Sequence, residues 1–129
     1  MKIFNDPETW SGKVNFVDEN NVFVGFNMAS GCCEDYDWFL SHSYPTLGNY
    51  RDDAIRINDF EKASDGFNFD VDFFERVDAG GYGDGGLAIF RLSKGEEKLY
   101  LTLYNFHNGY YAHGFSLNVG GINIIDDSL

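Results

Sequence analysis

Apolar and polar residues alternate over several short stretches of this chain, a period of two that sends successive side chains to opposite faces of a β-strand. Lys13 to Val17 sets Val14 and Phe16 on one side, and Val22 to Asn27 does the same with Val22, Val24 and Phe26. The intervening Asp18-Glu19-Asn20-Asn21 reads as a hairpin loop. Between Phe67 and Val77, residues Phe67, Phe69, Val71 and Phe73 point one way while Asn68, Asp70 and Asp72 point the other. That is the pattern of a half-buried strand with an acidic outer face. Leu87 to Leu92 predicts a short strand, and Ser93-Lys94-Gly95-Glu96 a turn.

The strongest local signal runs from Glu97 to Val119, where two β-rich runs flank Asn108-Gly109. Asn-Gly in that setting predicts a two-residue type I′ hairpin turn. The implied register sets Tyr104 against His113, Thr102 against Phe115 and Tyr100 against Leu117, an aromatic face. Leu99, Leu101, Leu103, Asn105 and His107 fall on the other. Leucines on one side and aromatics on the other predict an element central to a sheet and covered on both faces.

The remaining stretches are more mixed. Asn5-Asp6-Pro7-Glu8 reads as a helix start, with Asp6 as cap and Pro7 at the first helical position, and Gly12 ending the turn. Met28 to Asp37 reads as a loop, with a strand from Trp38 to Ser41. His42 to Asn49 is rich in turn residues. In Tyr50 to Ala63, Ile55 and Ile57 alternate as in a strand, while Asp59 to Ala63 suits a helical turn. Ala79 to Gly86 reads as a flexible connection, Gly120-Gly121 as a break, and Ile122 to Ile125 as an edge strand. The expected architecture is mainly β (β-rich α+β): one domain over residues 1–129, with about seven mostly antiparallel strands. These form a sandwich or barrel with one or two short helices.

Composition fits this picture. Thirteen Phe and eight Tyr supply large apolar surfaces, and fifteen Gly against two Pro suit many tight turns. A chain of 129 residues buries roughly two thirds of its unfolded surface and needs no staples. Charge adds more. Twenty-one acidic against nine basic residues give a net −12. Such a field repels phosphate backbones and anionic membranes and speeds encounter with basic partners. The stretch MKIFNDPETW lacks the apolar region of a secretory signal, and no apolar run approaches the roughly 20 residues that span a bilayer. The two cysteines, Cys32 and Cys33, are adjacent and poorly placed for a disulfide with one another. A cytoplasmic protein is the expectation.

Zinc is the first chemistry to test, with Cys32, Cys33, His42, His107 and His113 as possible ligands. Adjacent cysteines miss the usual C-x₂₋₄-C spacing, and the hairpin register sets His107 and His113 on opposite sheet faces. A Cys32 or Cys33 nucleophile assisted by His107 or His113 meets a second obstacle, since Glu34 and Asp35 would raise the thiol pKa. Buried thiols and hydrogen-bonded histidines are the plainer reading. The glycine-rich Ala79 to Gly86 lacks the Gly-Lys-Ser/Thr ending of a phosphate loop. Asp70 and Asp72 lack the distal Glu of an EF-hand, and nothing in the sequence sets the separation a glycosidase pair needs. Tyr36, Trp38, Tyr82, Tyr110 and Tyr111 are eligible to stack on sugar rings, and equally to serve as core or as interface anchors.

Two stretches, GCCEDYDWFL (31–40) and LYNFHNGYYAHGF (103–115), resemble signatures of small uncharacterised bacterial and phage-encoded domains carrying a Cys-Cys-Glu element and an HNGYY-x-HGF hairpin. The resemblance implies a small β-rich domain without naming an activity. In size and acidity the chain is also similar, as a class, to immunity proteins of contact-dependent growth inhibition and related toxin systems. The resulting expectation is a non-enzymatic acidic inhibitor, without cofactor, that covers the active site of a basic bacterial toxin of the nuclease kind. Its expected contact patch joins Glu34, Asp35, Tyr36, Asp37 and Trp38 with Asp70 and Asp72. The alternatives are a zinc- or thiol-dependent enzyme built on Cys32, Cys33, His107 and His113, and a carbohydrate-binding module.

Overall fold

Two antiparallel sheets share the chain's inward-facing apolar rows. The computed structural model describes residues 1–5, 12–29, 34–109 and 111–129. The expected helix start at Asp6-Pro7 and the cysteines Cys32 and Cys33 lie outside the described residues, as does Tyr110. The first sheet has five strands: β1 (Lys2–Asn5), β2 (Lys13–Val17), β3 (Val22–Asn27), β8 (Gly114–Val119) and β9 (Ile122–Ser128), in the order β1-β2-β3-β8-β9. The second has four: β4 (Asp35–Ser41), β5 (Asn68–Asp78), β6 (Asp84–Lys94) and β7 (Glu97–His107), in the order β4-β7-β6-β5. One four-residue helix, α1 (Phe60–Ala63), is preceded by a 3₁₀ turn at Asp53–Ile55. The mainly β expectation holds, as two sheets rather than a closed barrel, with nine strands described rather than seven.

Alternation puts Val14 and Phe16 of β2, Val22, Val24 and Phe26 of β3, and Phe115 and Leu117 of β8 on the inner face of the first sheet. They meet Ala88, Phe90 and Leu92 of β6 and Leu99, Leu101 and Leu103 of β7 in one buried cluster. Trp38 closes one side of this core edge-on, its ring centre 4.8 Å from Phe16 and 5.6 Å from Phe60. Each fully buried Phe or Leu is worth about 1.5–3 kcal/mol, so this shared row is what holds the sheets together.

The four-stranded sheet has a second apolar layer on its outer face. Phe39, Leu87, Ile89 and Tyr104 are buried there beneath Leu47, Tyr50 and Ile55, residues of the irregular connection between β4 and α1. β7 is thus covered on both faces, leucines inward and aromatics outward, as its pattern predicts.

The Asn108-Gly109 hairpin does not form. β7 pairs with β4 and β6, whereas β8 pairs with β3 and β9 in the other sheet. Both edges of β7 are occupied, so β8 cannot pair with it and joins the other sheet instead. Gly109 has positive φ but Asn108 does not, which excludes a type I′ turn. His107 Nδ1 instead accepts the Gly109 N–H at 3.0 Å.

Three other expectations are corrected. β4 begins at Asp35 rather than Trp38. Ile55 closes the 3₁₀ turn instead of lying in a strand. In β5 the alternation breaks at a bulge between Phe69 and Phe74. Phe69 and Phe74 therefore face the shared core, Phe73 faces the outer layer, and Val71 is exposed.

Candidate functional site

The residues expected to form one acidic patch sort onto three different surroundings. β4 and β5 are the two edge strands of the four-stranded sheet, three strand spacings apart, or roughly 14 Å. Asp35 and Asp37 share the outer face with Phe39, and Asp70 lies on that face at the opposite edge. Tyr36 and Trp38 alternate to the inner side.

Glu34 just precedes β4 and its side chain is fully buried beside His113, itself 3% exposed. Its Oε1 lies 3.3 Å from His113 Nε2, while His113 Nδ1 lies 2.5 Å from the carbonyl oxygen of Asn27. A carbonyl can only accept, so Nδ1 carries a proton. The Nε2–Glu34 contact then holds one further proton, either on an imidazolium facing a carboxylate or on a carboxylic acid donating to a neutral ring. Tyr36 lies over the imidazole at 4.3 Å. Both ring nitrogens of His113 thus lie within hydrogen-bond distance of a partner. His107, at the end of β7, has Asp84 as its cross-strand neighbour on β6, and on the other side the pairing of Asp35 with Phe106 runs on towards Glu34, which just precedes β4. No group of three His, Cys, Asp or Glu suited to a metal occurs among the described residues. His42 is exposed just beyond β4.

The outer face of the four-stranded sheet is a layer of arginines, aromatics and acids that satisfy one another. Arg51 is ion-paired with Asp35 and lies 5.7 Å above the Tyr50 ring. Arg56 sits 4.9 Å over Phe39 and 5.6 Å from Tyr104, and donates to the Tyr104 hydroxyl and the Tyr50 carbonyl. Burial pushes the Tyr104 hydroxyl pKa up, although Arg56 opposes the shift. Arg91 packs 4.4 Å over Phe73 and donates to Asp70 at 2.6 Å, and Ser93 donates to the same carboxylate. Burial disfavours the Asp70 charge, but the Ser93 and Arg91 hydrogen bonds outweigh it and hold the carboxyl below its ordinary range. Asp72 is exposed. Tyr50 stacks on Phe106 at 4.8 Å, and with Leu47 and Arg51 these rings line a cleft of about 350 Å³ beside β4.

The outer face of the five-stranded sheet is different, because no described segment packs over it as the β4–α1 connection does over the other sheet. Cross-strand pairing gives two outward rows: Lys2, Val17, Phe23 and Asn118, then Phe4, Asn15, Gly25, Ser116 and Asp126. Phe4 is 55% exposed. Phe4 and Val17 line two adjoining clefts, one with Asn15, Asn21 and Phe23, the other with Lys2, Asp18, Glu19, Glu61 and Asp65. Sequence reading passed over this face. Its signal was present in β2 and β3, where Val17 and Phe23 sit out of phase with the inward apolar rows.

No protein-family model matches the chain, no curated protein does, and no solved structure does. No helix among the described residues is long and apolar enough to cross a membrane.

Proposed function

We propose that this protein is a non-enzymatic acidic inhibitor, of the immunity-protein kind, that neutralises a basic bacterial toxin by covering its active site. The toxin class that fits is a nuclease, because a nuclease presents positive charge to a polyanionic substrate and an acidic protein competes for the same surface.

The supporting observation is how the charges are spent. All four arginines are already paired with the protein's own carboxylates: Arg51 with Asp35, Arg56 with Asp53, Arg76 with Asp78 and Asp127, and Arg91 with Asp70. Glu19, Asp37, Asp65, Asp72, Asp84, Glu96, Glu97 and Asp126 make no ion pair within 4 Å among the described residues. The cations that meet this surplus are a partner's. Electrostatic steering of such a pair raises association rates by about 10- to 10³-fold, and salt removes the gain.

The test is co-expression with the product of the adjacent reading frame in the native genome. Growth rescue, a one-to-one complex and an association rate falling at least tenfold from about 50 to 500 mM salt are expected on this steering. A toxic neighbour that is not neutralised, or a complex whose association ignores salt, refutes the reading.

A further inference from the structure

We infer that the basic partner docks on the outer face of the five-stranded sheet, where Phe4, Val17 and Phe23 are rimmed by Glu19, Glu61 and Asp65. The occupant is a cationic protein segment that inserts an apolar side chain between those cations. This inference rests on the proposed function and says where on the molecule it is carried out.

The placement follows from pairing. Val17 lies directly across from Phe23, and Phe4 from Asn15, so three apolar side chains emerge together on the β1–β2–β3 half of an otherwise polar face. The two clefts they line measure about 260 and 410 Å³ and are contiguous through Phe4 and Val17. A largely exposed phenylalanine at the centre of such a patch is the kind of residue that carries binding energy once water is excluded.

Charge selects the occupant. The first cleft brings four carboxylates (Asp18, Glu19, Glu61 and Asp65) against one ammonium, that of Lys2. Asp18 is committed to backbone N–H groups. Glu61 Oε2 accepts the Ile3 N–H at 3.3 Å and lies 3.9 Å from the exposed Lys2 ammonium, and such exposed ion pairs contribute little and yield readily to another cation. Nucleic acid and anionic membrane are repelled by this rim. A second copy of the chain would bring its own net −12 and repel it too. A segment that combines Lys or Arg with a leucine-like or aromatic side chain satisfies both the acids and the apolar floor.

The experiment is an NMR titration of the ¹⁵N-labelled full chain with two synthetic peptides of equal charge, one alternating lysine with leucine, the other lysine with glycine. Shift changes are expected at 2–5, 17–23 and 61–65, with the leucine peptide bound about tenfold more tightly. Phe4→Ala, which keeps its melting curve because the ring is mostly exposed, is expected to erase that tenfold preference. Glu19→Lys with Asp65→Lys weakens both peptides, and Asp72→Lys leaves both unchanged. Shift changes centred on Leu47, Tyr50 and Phe106, or an undiminished preference in Phe4→Ala, overturn the site while leaving the acidic-inhibitor reading standing. A Phe4-dependent dimer in sedimentation also overturns it, by making a second copy the occupant. If neither peptide binds, the inhibitor reading fails together with the site.

Discussion

Replacing Asp18 should do more damage than any other single carboxylate change. Asp18 sits between β2 and β3, only 6% exposed, and its Oδ1 accepts the N–H groups of Asn20 and Val22, each at 2.9 Å. Its Oδ2 accepts the N–H of Phe69 at 3.0 Å. That third bond crosses from the five-stranded sheet to β5 of the other, so one side chain both shapes a hairpin and ties the sheets together. In Asp18→Ala the Val22 and Phe69 donors, both buried, lose their acceptor, at about 1–3 kcal/mol each. The hairpin also loses its internal Asn20 bond, worth about 1 kcal/mol in a partly buried setting. The sum is about 3–7 kcal/mol, a large fraction of the 5–15 kcal/mol expected for a domain. Asp18→Asn discriminates further. Its amide oxygen still serves the Asn20 and Val22 donors, but its NH₂ group faces the Phe69 N–H, donor against donor, so a loss of about 2 kcal/mol is expected from that one contact. Urea unfolding followed by far-ultraviolet dichroism measures both. A loss under 1 kcal/mol in Asp18→Ala would refute the reasoning, because the freed donors would then have found other acceptors.

Three further outcomes follow from the packing. Gly85 has φ +91°, and a Cβ there would lie 2.0 Å from the Asn105 carbonyl oxygen, so Gly85→Ala must displace the β6–β7 ladder. It should lower the melting temperature far more than Gly95→Ala, whose Cβ meets nothing. His113→Ala leaves Glu34 buried without its imidazole and should cost about 3 kcal/mol in a urea titration. Glu34→Gln should cost much less, since an amide can donate to a neutral Nε2. Asp70 has a folded pKa below its unfolded value near 3.9, so its contribution is complete above that value and is lost as pH falls through the folded one. Asp70→Asn should therefore show a shallower fall in unfolding midpoint below pH 4 than the unmodified protein, and equal slopes would count against the Arg91–Ser93 account.

Much of the fold was legible because local and tertiary preferences agree. The turns at 18–21, 93–96 and 120–121 all join paired strands, and the glycines at 95, 120 and 121 adopt the positive φ those turns require. The reading failed where tertiary context overrode a strong local signal. Asn108-Gly109 is as good a hairpin sequence as the chain contains, but β7 was already paired along both edges, and pairing is decided by the whole sheet. The start of β4 was hidden by Asp35 and Asp37, acids that depress strand propensity, and the first of them is accommodated here by Arg51 from outside the strand. The acidic patch failed for a related reason. Sequence spacing shows that Asp35 and Asp70 point outward, but not that Arg51 and Arg91, distant in sequence, fold onto them.

The two outer faces carry opposite solutions to the same problem. Each sheet has an inner side buried in the common core and an outer side that must be covered or made polar. On the four-stranded sheet the outward rows are apolar and aromatic, so the β4–α1 connection folds over them. Arg51 and Arg56 arrive with that connection and Arg91 rises from the sheet beneath it, each beside an acid. A partner that sought Asp35 or Asp70 would first have to compete with a guanidinium fixed over an aromatic ring, and for Asp70 the competition includes a second hydrogen bond from Ser93. On the five-stranded sheet the outward rows are mostly Asn, Ser, Gly and Lys, which tolerate water and need no cover. Phe4, Val17 and Phe23 are the exceptions, and no folding requirement in the described structure explains three apolar residues gathered there. Of the acids beside them, Glu19 and Asp65 make no ion pair within 4 Å among the described residues, and Glu61 carries the weak Lys2 contact and the Ile3 N–H. Apolar surface that the fold leaves open, edged by charge that the fold leaves unspent, is where a cationic partner gains most and displaces least.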